Sequence, residues 1–385
     1  MTANRGKILH LVLLQLHSIG YHSSFSSAQS GKDFIFGVPR NAGFPGSAHP
    51  YVIVTNADDS TVSALLSSAI PGFEQRIFQI QPGGFFKVDL VPAIDVEMNA
   101  EMSEEVVVEE KGFRLSASAP VRVQVASEYS GDGSADAFLV FPTETLGTRY
   151  IAITASEQDA ANVAFTSQGP STLPKAPCCE LKFQLNLTPL ICQRRWSFLF
   201  GCEFDFYPSF YNQLNIIALV DDTQVIIRGQ RRITAVLKSR LQTATFASAL
   251  DLTGTEITSD KPVAVISVLP GGGCDFLAEM LPPVPSWGVD FPLVNLAGDE
   301  QGDFFKIVAS EDETDLYLDG RPILLSTSTL AARAYYTFLN SASPFAYLRA
   351  SRPVLVMQIG QHLKNYNLGD PLFVLVPASS QGQFT

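Results

Sequence analysis

Three short patterns each occur three times along this chain, always in the same order, and no other feature limits its fold as much. The first is an apolar run closed by an acidic turn and a β-branched or apolar pickup, at residues 51–62, 216–225 and 305–316; the turns carry Asp58-Asp59, Asp221-Asp222 and Glu311-Asp312. Short polar side chains satisfy the backbone of a turn, so the pattern reads as a hairpin. The second pattern sets a proline (Pro120, Pro262, Pro353) before an alternating, Val-rich run. Proline donates no ladder hydrogen bond and is expected at the first residue of each strand. The third is an apolar run that ends in proline at Pro142, Pro282-Pro283 and Pro377. A strand opened by Gly31, Gly147 or Gly288 precedes each set.

The spacing defines units. Pro120 and Pro262 are 142 residues apart but Pro262 and Pro353 only 91, so the second unit carries an insert, placed at residues 171–210. The units are expected at about 31–146, 147–287 and 288–385. Helical periodicity is nearly absent, and 46% hydrophobic residues against 17% charged give enough apolar material for real cores. Repeats of this length exceed one propeller blade. The expected fold is all-β: three related antiparallel β-sandwich-like units packed as one assembly about a pseudo-threefold axis.

Residues 1–28 read as a signal peptide. Arg5 and Lys7 precede the apolar run 8–16, and Ser26-Ser27-Ala28 supplies a small-residue cleavage site. The run is too short for a bilayer, and no later stretch reaches spanning length, so secretion without membrane insertion is expected, with residues 29–385 as the mature module. In an oxidising compartment Cys178, Cys179, Cys192, Cys202 and Cys274 are disulfide candidates. Adjacent Cys178 and Cys179 are each expected to pair elsewhere, and five cysteines leave one over. The absence of a Cys-x-x-Cys pair or a nearby His argues against zinc. Asn186 opens a glycosylation sequon.

A formal charge of -12 disfavours nucleic acid and anionic membranes. Of five histidines only His49 and His362 lie beyond the leader, no nucleophile elbow is present, and no cofactor motif stands out. Residues 132–136 faintly resemble a calcium loop but lack its late Glu. Residues 271–273, three glycines, follow no strand-to-helix transition and read as a tight bend rather than a phosphate cradle. The three acidic pairs leave one enzymatic alternative, a carbohydrate-active hydrolase using paired carboxylates. It requires two carboxyls facing each other across a cleft, whereas exposed turn tips would exclude it.

The insert concentrates aromatics: Trp196, Phe198, Phe200, Phe204, Tyr207 and Tyr211, with Phe206 and Phe210 between them. Inserted loops on a rigid β-scaffold are where recognition commonly lives, so these six are the binding candidates. Trp287, at a unit junction, reads as core. A purely structural spacer is the remaining alternative.

The string from Cys274-Asp275 through Pro282-Pro283 to Trp287-Gly288, with residues 251–255, 261–265 and 308–312, is similar to the N-terminal domain of IgGFc-binding proteins. The resemblance covers about residues 31–385. It implies an extracellular, non-enzymatic β-module of mucus-associated proteins. The expected role is therefore a secreted binding or adhesion module that recognises an extracellular protein or glycoprotein through loops and inserts.

Overall fold

A computed structural model of the chain describes residues 29–41, 48–90, 95–99, 105–129, 135–154, 211–271, 275–295, 302–323, 325, 329–341, 343–360 and 372–381. The signal segment, all five cysteines, Asn186, His362 and the aromatic positions from Trp196 to Tyr207 lie outside the described residues.

The described residues form three antiparallel sheets built to one plan. The first contains β1 (Gly31–Phe36), β2 (Ala48–Thr55), β3 (Val62–Ser68), β4 (Arg76–Ile80), β5 (Phe85–Asp89), β7 (Phe113–Tyr129) and β8 (Ala135–Val140). The second contains β9 (Gly147–Ile151), β10 (Asn212–Ala218), β11 (Thr223–Arg228), β12 (Arg232–Leu237), β13 (Thr243–Ser248), β14 (Glu256–Gly271) and β15 (Asp275–Met280). The third contains β16 (Gly288–Val294), β17 (Asp303–Ala309), β18 (Leu316–Leu318), β19 (Arg321–Pro322), β20 (Tyr335–Asn340), β21 (Phe345–Gly360) and β22 (Leu372–Leu375). Two of the sheets are nearly closed, barrel-like, and one is a half-barrel; strands β4 and β5 of the first and β12 and β13 of the second lie against each other, which leaves the third as the open one. One strand crosses between units: β6 (Val107–Glu109), from the connection between β5 and β7, adds to the edge of β13 and makes the second sheet eight-stranded.

Each unit is organised by one long strand. β7 has 17 residues, and β14 and β21 have 16 each. The strand prolines therefore stand within long strands, not at their first residues. The ladder explains how they are tolerated: β1 pairs with residues 113–116 of β7 and then jumps to Val121, and equivalent register breaks flank Pro262 and Pro353. Each proline lies where the strand changes partners and no ladder bond from its nitrogen is needed.

The acidic turns are also not hairpins. β2 pairs with residues 122–129 of β7 and β3 with residues 113–117, so the two lie end to end along one strand. The β10–β11 and β17–β18 pairs repeat this arrangement on β14 and β21. An apolar-turn-apolar pattern specifies two strands and a bend but not who pairs with whom. In the first turn, buried Asn56 fixes the bend by donating to the carbonyls of Ser60, Ile80 and Gln81.

The glycines that open the units have a packing reason. A Cβ on Gly31, Gly147 or Gly288 would lie 2.5, 2.6 or 2.3 Å from a Cβ of Pro142, Pro283 or Ala378 respectively. Each unit's first strand is thus pressed against the proline-rich end of its own or the adjacent segment, and only Gly fits.

Alternation along the long strands gives β14 and β21 a second buried face. Val121, Val123 and Val125 point into the first core, while Val263 and Val265, and Val354 and Val356, do so in the second and third. The residues between them belong to junctions. Ala264, Ile266 and Val268, with Ile217, Ala278 and Met280, are second-unit residues that complete the core of the first unit. Leu355, Met357 and Ile359, with Val308 and Phe373, are third-unit residues that complete the core of the second. Burying each large side chain of this kind contributes about 1.5–3 kcal/mol relative to leaving it exposed. The three units are joined in series by one interface used twice.

Candidate functional site

The insert expected at residues 171–210 falls within the connection between β9 and β10. Of the six binding candidates only Tyr211 lies among the described residues, where it is half-buried next to buried Asn212. The remaining five, Trp196, Phe198, Phe200, Phe204 and Tyr207, lie outside them. What the structure does describe is the base of that connection, whose described residues stop at Thr154 and resume at Tyr211.

That base is a polar network between the second and third units. Thr154 Oγ1 donates to Asp251 Oδ1 at 2.8 Å and accepts from the Leu252 amide at 2.7 Å. Thr253 Oγ1 donates to the Thr154 carbonyl and accepts from the Thr154 amide, both at 3.0 Å. Lys306 reaches in from β17 with no exposed side-chain surface, donating at 2.9 Å to both the Thr154 carbonyl and Asp251 Oδ2. The ammonium also lies 4.3 Å from the centroid of the Tyr335 ring. Burial raises the Asp251 pKa, but Lys306 and the bonds from Thr253 outweigh it, and the carboxyl is held below its ordinary value. A lysine so bound is a strut rather than a nucleophile. On the return side, Asn212 donates to the Leu250 carbonyl at 3.0 Å and Gln213 to the Arg40 carbonyl at 3.2 Å.

A second polar cluster joins all three units. Asp136 on β8 accepts from the amides of Ala137 and, across the junction, Ala278, each at 2.8 Å. Glu279 on β15 accepts from the Leu375 amide on β22 at 3.3 Å. Each carboxylate meets an edge strand of the next unit. Burial pushes the Asp136 carboxyl up to about 7 despite its two amide partners. Burial and then the charge of Asp136 raise Glu279 well above its ordinary value. In the sequence Asp136 closes the faintly calcium-loop-like stretch 132–136, and Glu279 and Lys306 are not singled out. The available signal was a lone charge inside an otherwise apolar strand.

The acidic pairs are exposed at all three turns: Asp58 and Asp59, Asp221 and Asp222, and Glu311 and Asp312. Their partners are local. Asp221 accepts from the Arg240 amide at 2.6 Å, Asp312 from the Ala332 amide at 2.9 Å, and Glu311 pairs with Arg352 at 2.9 Å. Among the described residues none faces a second carboxylate across a cleft, as the hydrolase alternative requires. His49 is exposed on β2. Trp287 is buried, with its indole N–H donating to the Pro282 carbonyl at 3.1 Å. Among the described residues no group of three or more His, Cys, Asp or Glu side chains is placed to hold a metal, and no helix is long and apolar enough to cross a membrane.

The sequence of residues 195–384 matches the family model described as IgGFc binding protein. The chain is also 22% identical over 338 residues to the human (Homo sapiens) IgGFc-binding protein, a match covering 86% of this chain and 5% of that relative's length. Among solved structures, a Thermotoga maritima protein (1070) overlaps 29% of this chain and 94% of its own at 10% identity and a TM-score of 0.21. A Pleurotus ostreatus lectin in complex with GalNAc overlaps 92% and 87% at 11% identity and a TM-score of 0.18. Scores this low carry no argument about fold or ligand. The resemblance that the Cys274–Gly288 string suggested therefore rests on sequence and covers the second and third units most fully: this chain is similar to the IgGFc-binding proteins.

Proposed function

We propose that this chain is a secreted, non-enzymatic binding module of mucus or extracellular matrix, and that it recognises a protein or glycoprotein through the insert between β9 and β10. The observation that carries the reading is the base of that insert. Thr154, Asp251, Thr253 and Lys306 fasten the start of the connection that carries the insert to two units at once, which is how a rigid scaffold presents a recognition loop. The family's sequence pattern supports a protein partner, and the name of the human relative makes the antibody Fc region the first one to try.

Capture of purified IgG Fc and of mucus glycoproteins by the secreted chain, against a variant lacking residues 171–210, tests this. Loss of capture with the deletion is expected. Equal capture by both forms would remove the insert as the binding site. Mass spectrometry of the secreted protein without reduction should find disulfides among Cys178, Cys179, Cys192, Cys202 and Cys274, and free thiols at four or more of them would contradict export.

A further inference from the structure

The same junction occurs twice, and its parts can be traced to the end where it stops. In the first junction the turn at Leu241 (φ 65°) sets its carbonyl against Gly112; in the second the turn at Arg333 (φ 68°) does so against Gly254. A Cβ on either glycine would lie 2.2 or 2.3 Å from that carbonyl oxygen. Gly112 and Gly254 each stand eight residues before their strand proline, and the residue eight before Pro353 is Phe345. Phe345 is 66% exposed, and its cross-strand partner Val294 is 49% exposed. Beside them the third sheet is only a half-barrel whose Leu318, Tyr336 and Phe338 stay half-buried. Hydrogen bonds from the Asn295 side chain to the carbonyls of Asn340 and Ser343 tie the end of β20 to the start of β21, so the exposed pair and the open sheet share one end of the molecule.

Two occupants are disfavoured by named residues. A fourth unit docking as the second and third do would drive its turn carbonyl into the Cβ of Phe345. The opposite end of a second copy presents Thr55, Arg122 and Gln124, all half-buried, where the later units present Ile217, Ala264 and Ile266 or Val308, Leu355 and Met357. A face carrying a guanidinium and an amide does not replace an apolar one in a core. The same end of another molecule meets neither objection: it brings no turn carbonyl against Phe345 and offers an apolar pair of its own. We propose that two copies of this chain pair through their third units, about a two-fold axis, with Phe345 and Val294 of each copy set against the open third sheet of the other. The surroundings suit self-pairing, since both signs of charge are present: Arg349 bonded to Asp290 at 2.7 Å, and Arg321 near Asp319 on the rim of a hollow of about 510 Å³ that Leu318 and Ile323 also line. A two-fold contact uses the surface up, so the assembly stops at two.

Sedimentation velocity and native mass spectrometry of the whole chain test this. A dimer is expected at concentrations on the order of 10 μM, and Phe345→Asp and Val294→Arg should each weaken it on the order of 100-fold, as loss of a central interface anchor does. Arg122→Asp, at the far end, should leave it unchanged. Circular dichroism melts check that each variant is folded, which is expected of the two third-unit variants because the Phe345 and Val294 side chains are exposed. A wild-type chain that stays monomeric up to on the order of 100 μM would overturn the proposal. So would a dimer indifferent to both third-unit substitutions, a dimer lost on Arg122→Asp, or open-ended polymers.

Discussion

Two junction sites in this molecule bury charge by opposite means. Between the second and third units, Lys306 and Asp251 neutralise each other, and Thr154 and Thr253 satisfy their remaining hydrogen-bonding capacity. Where β8, β15 and β22 meet, Asp136 and Glu279 are both acidic, each accepts from backbone amides, and burial raises both carboxyls above their ordinary values. The first site is sensitive to losing a partner. The second is sensitive to pH. Both sit where one unit hands its edge or face to the next, so the chemistry of each is a property of the assembly rather than of a unit.

The largest effect should come from breaking the ion pair. Lys306→Met leaves the Asp251 carboxylate in a site that is 14% exposed with no counter-charge, and should cost about 3–5 kcal/mol by chemical denaturation. Adding Asp251→Asn should recover part of that loss; a double variant as unstable as the sum of the singles would show that the two groups are not coupled.

A second test compares equivalent positions on the outward faces of the long strands. Met357 lies in the second core with no exposed surface, and Met357→Ala should cost about 2–5 kcal/mol. Its first-unit counterpart is Gln124, for which Gln124→Ala should cost well under about 1 kcal/mol. Similar losses at both would mean that the polar face of the first unit is as structurally committed as the apolar junction faces.

A third test is the pH dependence of the carboxyl cluster. Asp136 keeps its proton up to about pH 7 in the folded chain but loses it near pH 4 when unfolded, so between those values the native state binds more protons and stability falls as pH rises. Asp136→Asn should flatten this slope without abolishing it, since Glu279 is shifted in the same direction. Thermal melts from pH 4 to pH 8 read it out, and a wild-type stability that rises across that window would contradict the assignment.

Much of the fold was legible because repetition is a strong signal. Three patterns in fixed order gave related all-β units, and acidic residues at turns marked bends that the structure places on the surface. Pairing was less legible. The prolines were expected to start strands and the acidic turns to close hairpins, yet both are subordinate to β7, β14 and β21, whose length lets two short strands share one partner. The candidate site divides in the same way. The aromatic composition of the insert is plain in the sequence, but its anchorage joins Thr154, Asp251 and Lys306, and Lys306 is 152 residues from Thr154.

By itself the sequence determined the strands, because a period of two is local and each residue in the alternation Val-Ala-Val-Ile or Val-Leu-Val-Met knows its face from its neighbours. Arg122 and Gln124 stand in the first unit where the others carry apolar residues, a difference that gains its meaning only from the fold. Only the tertiary structure decided what that second apolar face is for. Burial depends on what covers a surface, and Ile266 and Met357 are covered by cores whose strands begin far earlier in the chain. The cost of burying Lys306, Asp136 and Glu279 likewise depends on partners that no local pattern can name.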